Sequence, residues 1–343
     1  MHLIKTPIKK NMLVFNESQG SIMRLETFMN QCAQRMGGSM FNAQGKFNVQ
    51  ALRTNDLLRK DEWEELDAAV VRIAKAALNG ISDLVTRGLT VTLGGIGTTI
   101  SQYEDLSDMS AANVSMGGTT PGEEDKLDFN LNSVPVPIFH KNFRLNLRML
   151  EASRQAGSGL DTTYVEVATR RVLEQMEEVL FNGHTMKVNA NSIFGYTTQT
   201  NRETGSISNP WSGASGTPVA DSLAMLQALY DNNYQGPYGM YVPVAYWAAL
   251  QEDYKSESEL TVMQRIMNFD NMEFIKVSDR LSAEVIVVTF RKDVVDMAIA
   301  QDIITTQWAS GDTFTQHFKV WSCMVPRVKE DATTQSGIAH WSG

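Results

Sequence analysis

A chain of 343 residues with 43% hydrophobic and 20% charged residues can build one large domain or two ordinary ones around a real core, and its composition excludes a disordered polymer. Only two cysteines occur, Cys32 and Cys323, far apart and without CxxC or metal-ligand spacing, so a disulfide scaffold is excluded and a reducing compartment is expected. The net charge of −9 is uneven, because residues 1–60 hold five Lys and four Arg against Glu17, Glu26 and Asp56, an excess of +6 that leaves −15 for the remainder.

The first 55 residues, rich in Gln, Asn, Met and Gly, show no sustained period and read as an extended arm. The opening MHLIKTPIKKNMLVF never runs apolar long enough for a secretory signal, and no stretch reaches the roughly 18 to 20 apolar residues of a membrane span. A soluble protein that stays inside the producing cell is expected. A basic arm on an acidic body suits nucleic acid, a neighbour's acidic surface or an acidic scaffold, or is simply solvated.

From Asp61 the residues Trp63, Leu66, Val70, Ile73, Ala77, Ile81 and Leu84 fall on one helical face, with acids in the first turns and Arg87-Gly88 as the stop, predicting one continuous helix. Leu89–Leu93 is a β-branched strand, and Leu127–Leu147 supplies one or two more, interrupted by Pro135 and Pro137. Between them hangs SQYEDLSDMSAANVSMGGTTPGEED, Ser101–Asp125, which has almost nothing to bury and reads as the tip of a long hairpin. It could serve as a linker, an active-site lid, or an arm ordered by another molecule.

Asp161 is a candidate N-cap for a helix through Leu180, with Val165, Ala168, Val172, Met176 and Val179 as its stripe, a Glu166–Arg170 pair outside, and Asn182-Gly183 as its end. The polar passage 189–218, with Trp211 inside it, reads as a loop and a boundary between lobes. A helix near Val219–Asp231 follows, then GPYGMYVPVAYWAAL, a strand turning at Pro243 into a helix, then four strand-like runs. The second half is an α+β lobe on a mixed or antiparallel sheet.

Sites of chemistry are sparse. LTVTLGGIGTTI lacks the third glycine and the helix of a dinucleotide loop and is better read as a hairpin hinge; there is no phosphate loop, HExxH or GxSxG. The five histidines fall singly, His140 reads as a surface or structural residue, and Glu177-Glu178 as a solvated helix face. No catalytic, cofactor or metal residue is predicted, and the chain is expected not to be an enzyme; an enzyme with the polar loop as a lid would need a constellation that the sequence lacks.

The order of these parts resembles the major capsid proteins of tailed bacteriophages and the related encapsulin shell proteins, which share the Hong Kong 97-type fold. Val134–Gly183 is similar to that family's return strand and long spine helix, closed by Phe181-Asn182-Gly183. IFGYTT (Ile193–Thr198) resembles its entry into the axial domain, GPYGMYVPVAYWAAL its strand, proline and helix unit, and the runs from AEVIVVTF to SGIAHW its closing strands. The resemblance implies an N-arm (1–60), a peripheral domain (61–93 and 132–188, spine helix 161–181), an extended loop (94–131), an axial domain with a central β-sheet (189–281) and shared C-terminal strands (282–343).

It further implies loop residues Tyr103, Glu104, Asp105, Asp108, Glu123, Glu124, Asp125 and Lys126 lying across an adjacent subunit, and arm residues Lys5, Lys9, Lys10, Arg24 and Arg35 meeting neighbours. The implied protein is a phage or prophage major capsid protein forming hexamers and pentamers of an icosahedral virion, assembled in the host bacterial cytoplasm. Portal and scaffolding proteins, a decoration protein and enclosed double-stranded DNA, held without sequence-specific binding, are its implied partners; no cofactor and no membrane are. The alternative is an encapsulin packaging cargo enzymes, against which the long arm and large loop weigh. Some members crosslink a loop lysine to an asparagine with help from a glutamate; Lys126 is the lone lysine near the tip, the other two are unmatched, and the chemistry is not carried over.

Overall fold

The apolar stripe that begins near Asp61 forms two helices rather than one: α1 (Lys60–Ala77) and α2 (Gly80–Thr86). The reason is a carboxylate far away in sequence. Glu177 Oε1 accepts the backbone N–H of Asn79 at 3.0 Å and of Gly80 at 2.9 Å, giving α2 its own N-terminal acceptor. Gly80 keeps that approach open, since a Cβ would lie 2.7 Å from Leu180 Cδ2 and force that side chain to shift. Glu177 is therefore buried, not part of a solvated face, and its burial pushes the carboxyl pKa up despite those two hydrogen bonds. Gly88, at φ +68°, closes α2 as expected: the Gly88 N–H reaches Val85 O and the Leu89 N–H reaches Leu84 O, the paired bonds of a glycine C-terminal motif.

This computed structural model describes residues 60–77, 79–106, 116–117, 129–155, 162–189, 191–213, 215–255, 260–309, 315–331 and 335–343. Beyond α2 come β1 (Thr90–Thr92), β2 (Ile100–Leu106), β3 (Phe129–Pro135), β4 (Ile138–Asn146), α3 (Leu147–Gln155), α4 (Thr163–Asn182), β5 (His184–Val188), β6 (Asn191–Ile193) and β7 (Glu203–Ser206). They are followed by α5 (Pro218–Asp231), β8 (Tyr238–Pro243), a 3-10 turn (Val244–Tyr246), α6 (Trp247–Gln251), α7 (Val262–Met267), β9 (Met272–Ser278), β10 (Glu284–Thr289), β11 (Val295–Ala309), β12 (Thr315–Val328) and β13 (Ile338–Ser342).

The chain divides into two units. Among the described residues, the smaller takes in the start of α1, the end of β4 from Asn142, α3, and the neighbouring ends of β11 and β12. Its packing is aromatic and amide-rich: Phe143 stacks on Phe318 with centroids 5.0 Å apart, Trp308 lies flat against His317, and Gln307 Nε2 donates to the buried Gln316 Oε1 at 3.0 Å.

The larger unit holds a five-stranded sheet in the order β7-β13-β10-β8-β9. It is mixed, with β7 parallel to β13 and β8 parallel to β9 around an antiparallel centre. β8 is buried at every position and β10 at all but its first, the continuous apolar pattern of strands covered on both faces. α5 starts with Pro218 in its first turn and buries Met225, Leu226 and Leu229. The same unit pairs β1 with β11 in parallel in the sheet order β1-β11-β12-β4.

α4 buries the whole stripe Val165, Ala168, Val172, Met176 and Val179. Glu166 pairs with Arg72 of α1, and Arg170 lies 3.7 Å from Glu174. At the far end Gly183 (φ +68°) turns the chain, and Tyr196 and Thr197 donate their N–H groups to the otherwise orphaned carbonyls of Leu180 and Phe181 at 3.0 and 2.8 Å. Backbone meets backbone here: a Cβ on Gly195 would sit 2.3 Å from Gly183 N. Phe181-Asn182-Gly183 and Ile193–Thr198 are thus two halves of one junction. Phe181 also meets Tyr196 and Tyr241 edge to face, at 5.6 and 5.0 Å.

Passage 189–218, expected as a loop, contributes β6 and β7 and buries Trp211, whose Nε1 donates to Asp221 Oδ2 at 2.8 Å. α7 carries a complete capping box between Thr261 and Gln264. Cys323 is buried in β12, and burial raises its thiol pKa; Cys32 and Asp161 lie outside the described residues.

Candidate functional site

The polar stretch that opens at Ser101 is not all tip. Its first six residues belong to β2, which pairs antiparallel with β3 in unbroken register from Ile100↔Pro135 to Leu106↔Phe129. The period of two is visible in the burial: Ser101 is buried and Tyr103 half-buried, whereas Gln102 and Glu104 are exposed.

The hairpin is rooted in its own chain by buried charge. Arg327 of β12 clasps Asp296 of β11 with two hydrogen bonds of 2.6 Å, Nε to Oδ1 and an NH2 nitrogen to Oδ2. Lys329 Nζ adds a contact to Asp296 Oδ2 at 2.8 Å. The free arm of the guanidinium donates to Ser101 Oγ at 3.3 Å and its carbon lies 5.6 Å from the Tyr103 ring centroid, while Tyr103 Oη donates to Val328 O at 3.2 Å. Sequence reasoning missed this cluster, although the signal was present: Asp296 in VVDMAIA and Arg327 in CMVPRV are charges inside strands with no polar alternation to expose them, and such charges need partners.

Beside the root opens a cleft of about 240 Å³ lined by Tyr103, Leu131–Val134, Asn191, Ser192, Phe194, Gln199, Pro326, Val328 and Glu330. Gln199 is 3% exposed; its Nε2 donates to Glu330 Oε1 at 2.7 Å, and its Oε1 has no donor among the described residues. The Gln199 carbonyl accepts from Arg202, whose Nε also donates to His340 Nδ1 at 3.0 Å. His340 Nε2 lies 3.4 Å from Glu284 Oε2; burial pushes the imidazole pKa down, the Glu284 charge opposes that, and the Arg202 charge adds to it.

Of the loop residues singled out from sequence, Tyr103 therefore sits at the hairpin root, Glu104 is exposed on β2, and Asp105 pairs with Asn130 at the outer end of the ladder. Asp108, Glu123, Glu124, Asp125 and Lys126, and the arm residues Lys5, Lys9, Lys10, Arg24 and Arg35, lie outside the described residues. Among the described residues no group of three His, Cys, Asp or Glu is placed to hold a metal ion, and no helix is long and apolar enough to cross a membrane.

A long spine helix, a hairpin extended from a strand root, and a mixed central sheet entered through a double-glycine junction define the Hong Kong 97-type fold of phage capsids and encapsulin-related shells. The virus-like particle protein of Pyrococcus furiosus superposes with a TM-score of 0.58 at 15% identity, covering 82% of this chain and 99% of that one. The capsid protein of Myoviridae phage XM1 also gives 0.58 at 15% identity, over 78% and 92%. In sequence, the type 1 encapsulin shell protein EncA of Myxococcus xanthus (strain DK1622) is 24% identical over 278 residues, 79% of this chain and 90% of that protein. The chain belongs to the family of unknown function DUF6260, which it matches over residues 51–341.

Proposed function

We propose that this protein is the self-assembling shell subunit of a tailed double-stranded DNA phage or prophage, closing as hexamers and pentamers around the genome. The observation that carries the reading is the rooted hairpin: a polar, two-stranded projection fixed at its base by a buried ion cluster, with the acid-rich segment 107–128 at its far end. A protein that spends a buried ion cluster on the base of a solvent-facing ladder needs that ladder held at a set angle, as a strap onto a neighbouring copy requires. The loop acids and the basic arm would meet between copies, each exposed pair contributing only about 0–1 kcal/mol, so stability would come from repetition by symmetry. Portal and scaffolding proteins, a decoration protein, and assembly in a bacterial cytoplasm before packaging belong to the same reading.

The likeness to EncA supports a second reading, an encapsulin compartment that encloses cargo enzymes. Negative-stain electron microscopy of the purified full chain with sedimentation velocity, followed by nuclease-protection analysis of particle contents, separates them. Genome-sized particles, or capsomers that close when co-expressed with scaffold, support the phage head. Small closed particles holding a co-purified enzyme turn the reading to the compartment. A monomer at all salt and protein concentrations, with no closure in the presence of candidate scaffolds, overturns both.

A further inference from the structure

We propose that His340 and Arg202 form a proton-operated latch on the edge strand β7, closed while the imidazole is neutral and opened when it takes up a proton from solvent. The argument is one of donors and acceptors. Arg202 Nε donates to His340 Nδ1 at 3.0 Å, and a guanidinium offers N–H donors and no acceptor, so Nδ1 is bare and the ring proton sits on Nε2. Nε2 in turn lies 3.4 Å from Glu284 Oε2. A second proton can therefore go only to Nδ1, where the new N–H points at the N–H of Arg202. Donor then faces donor and cation faces cation at a side chain that is 8% exposed, and Arg202 has to leave.

The surroundings offer no other relief. Glu284 of β10 and Arg202 are the two charges that act on the ring. Glu203, at the start of β7, is engaged by Asn232 Nδ2 at 2.7 Å, and Glu330 by Gln199 Nε2 at 2.7 Å. α5, packed on β13, buries Ser222, Met225, Leu226 and Leu229, none of them charged, and β13 itself (IAHWS) brings no further charge. The imidazolium is thus received by Glu284 through Nε2, and the cation it displaces is Arg202.

What the latch holds is weak on its own. Among the described residues β7 has one neighbouring strand, β13, which it meets in parallel over the four residues Glu203–Ser206. Its sequence, ETGS, favours no strand. Arg202, immediately before it, ties this end of β7 to His340 and to the Gln199 carbonyl, at 3.0 and 2.5 Å. Release of Arg202 removes both ties, and opening of β7 bares the edge of β13 to solvent or to another strand. The closed state resists the proton and the open state accepts it, so opening gains as pH falls below the open-state pKa; burial, which pushes the imidazole pKa down in the closed state, acts in the same direction. The latch lies within one chain and stands apart from the shell reading.

The test is hydrogen exchange of the full-length protein read by mass spectrometry at one protein concentration, from about pH 7.5 to about pH 5.5, with each rate divided by the intrinsic chemical rate at that pH. The expected result is corrected exchange in 203–206 that rises by up to about tenfold per pH unit below about pH 6.5, while β8 and β10 hold. His340→Asn, which keeps an uncharged acceptor near the place of Nδ1, should stay protected and lose the rise. Arg202→Met should exchange fast in 203–206 at the high end of the range and gain little in acid, a readout that stands even where His340→Asn fails to fold. No rise in 203–206, a rise of the same size in β8 and β10, a rise kept by His340→Asn, or an Arg202→Met variant that matches the unaltered protein at every pH would each overturn the proposal.

Discussion

Replacing Asp296 by alanine removes the centre of the ion cluster beneath the hairpin. The side chains of Asp296 and Arg327 are 1% and 5% exposed, and the carboxylate takes two guanidinium bonds of 2.6 Å and a Lys329 contact of 2.8 Å. Without it the Arg327 guanidinium is left in a desolvated site that, among the described residues, keeps Ser101 Oγ at 3.3 Å and the Tyr103 ring. Stranding one member of a buried pair costs about 3–5 kcal/mol, and D296A should fall near the upper end because Arg327 at 5% exposure is nearly cut off from water, whereas Lys329 at 19% is less so. Arg327→Ala should cost less, about 3 kcal/mol, because Lys329 still neutralises Asp296. The measurement is urea unfolding of the full chain followed by tryptophan fluorescence, at one protein concentration so that assembly contributes equally. The double variant D296L/R327L should recover at least about 1 kcal/mol relative to D296A, since no charge is then stranded. A D296A loss below about 1 kcal/mol, or a D296L/R327L double variant no more stable than D296A, would show that the cluster is wet and does not hold the hairpin base.

Gly195→Ala should destabilise by about 3 kcal/mol, because the new Cβ meets backbone that cannot yield, while Gly94→Ala, whose Cβ would find only Thr98 Oγ1 at 3.6 Å, should be close to neutral in the same melt. Glu177→Ala leaves two N–H groups at the start of α2 without an acceptor and should cost about 1–3 kcal/mol, whereas Glu177→Gln keeps an acceptor and should cost less than about 1 kcal/mol; equal losses would refute the capping role. His340 is held below its ordinary pKa, so the unfolded chain binds a proton that the folded chain resists. Its contribution is present above about pH 6.5 and is lost as pH falls toward the folded pKa, at up to about 1.4 kcal/mol per pH unit, and His340→Gln should flatten that part of the stability profile. Replacing 107–128 by a short turn, which spares all of β2 and β3, should leave a folded chain that closes no shells; normal particles in the microscope would refute the strap.

Much of this architecture is legible where each segment answers to its own period. The α4 stripe, the Pro243 turn and the buried β8 and β10 follow from spacing, from a short aromatic and apolar run ended by proline, and from the β-branched run EVIVVT. What is not legible depends on a partner remote in sequence. The break between α1 and α2 is set by Glu177, nearly a hundred residues on, and Glu166 pairs with Arg72, more than ninety residues back. β7, sequence ETGS, has no strand character of its own; it pairs because β13 offers an edge, and it needs Gly205 because the Trp341 ring lies where a Cβ would be, 2.4 Å away. The hairpin root hid for the same reason: ISQYEDL reads as loop by composition, and only the company of Arg327 and Val328 shows which of its faces is inward.

The double-glycine junction has a mechanical corollary. α4 runs about 30 Å and is clamped at one end, where the last carbonyls are taken up by Tyr196 and Thr197 and Phe181 is wedged among aromatic rings. Near its other end Tyr164 and Val167 stand 47% and 44% exposed. Between those ends one face is buried from Val165 to Val179 and Glu166 is tied to Arg72, so the helix behaves as a rib bonded along its length: force applied near Thr163 is shared with the surface beneath it, and force applied near Asn182 is passed into the central sheet.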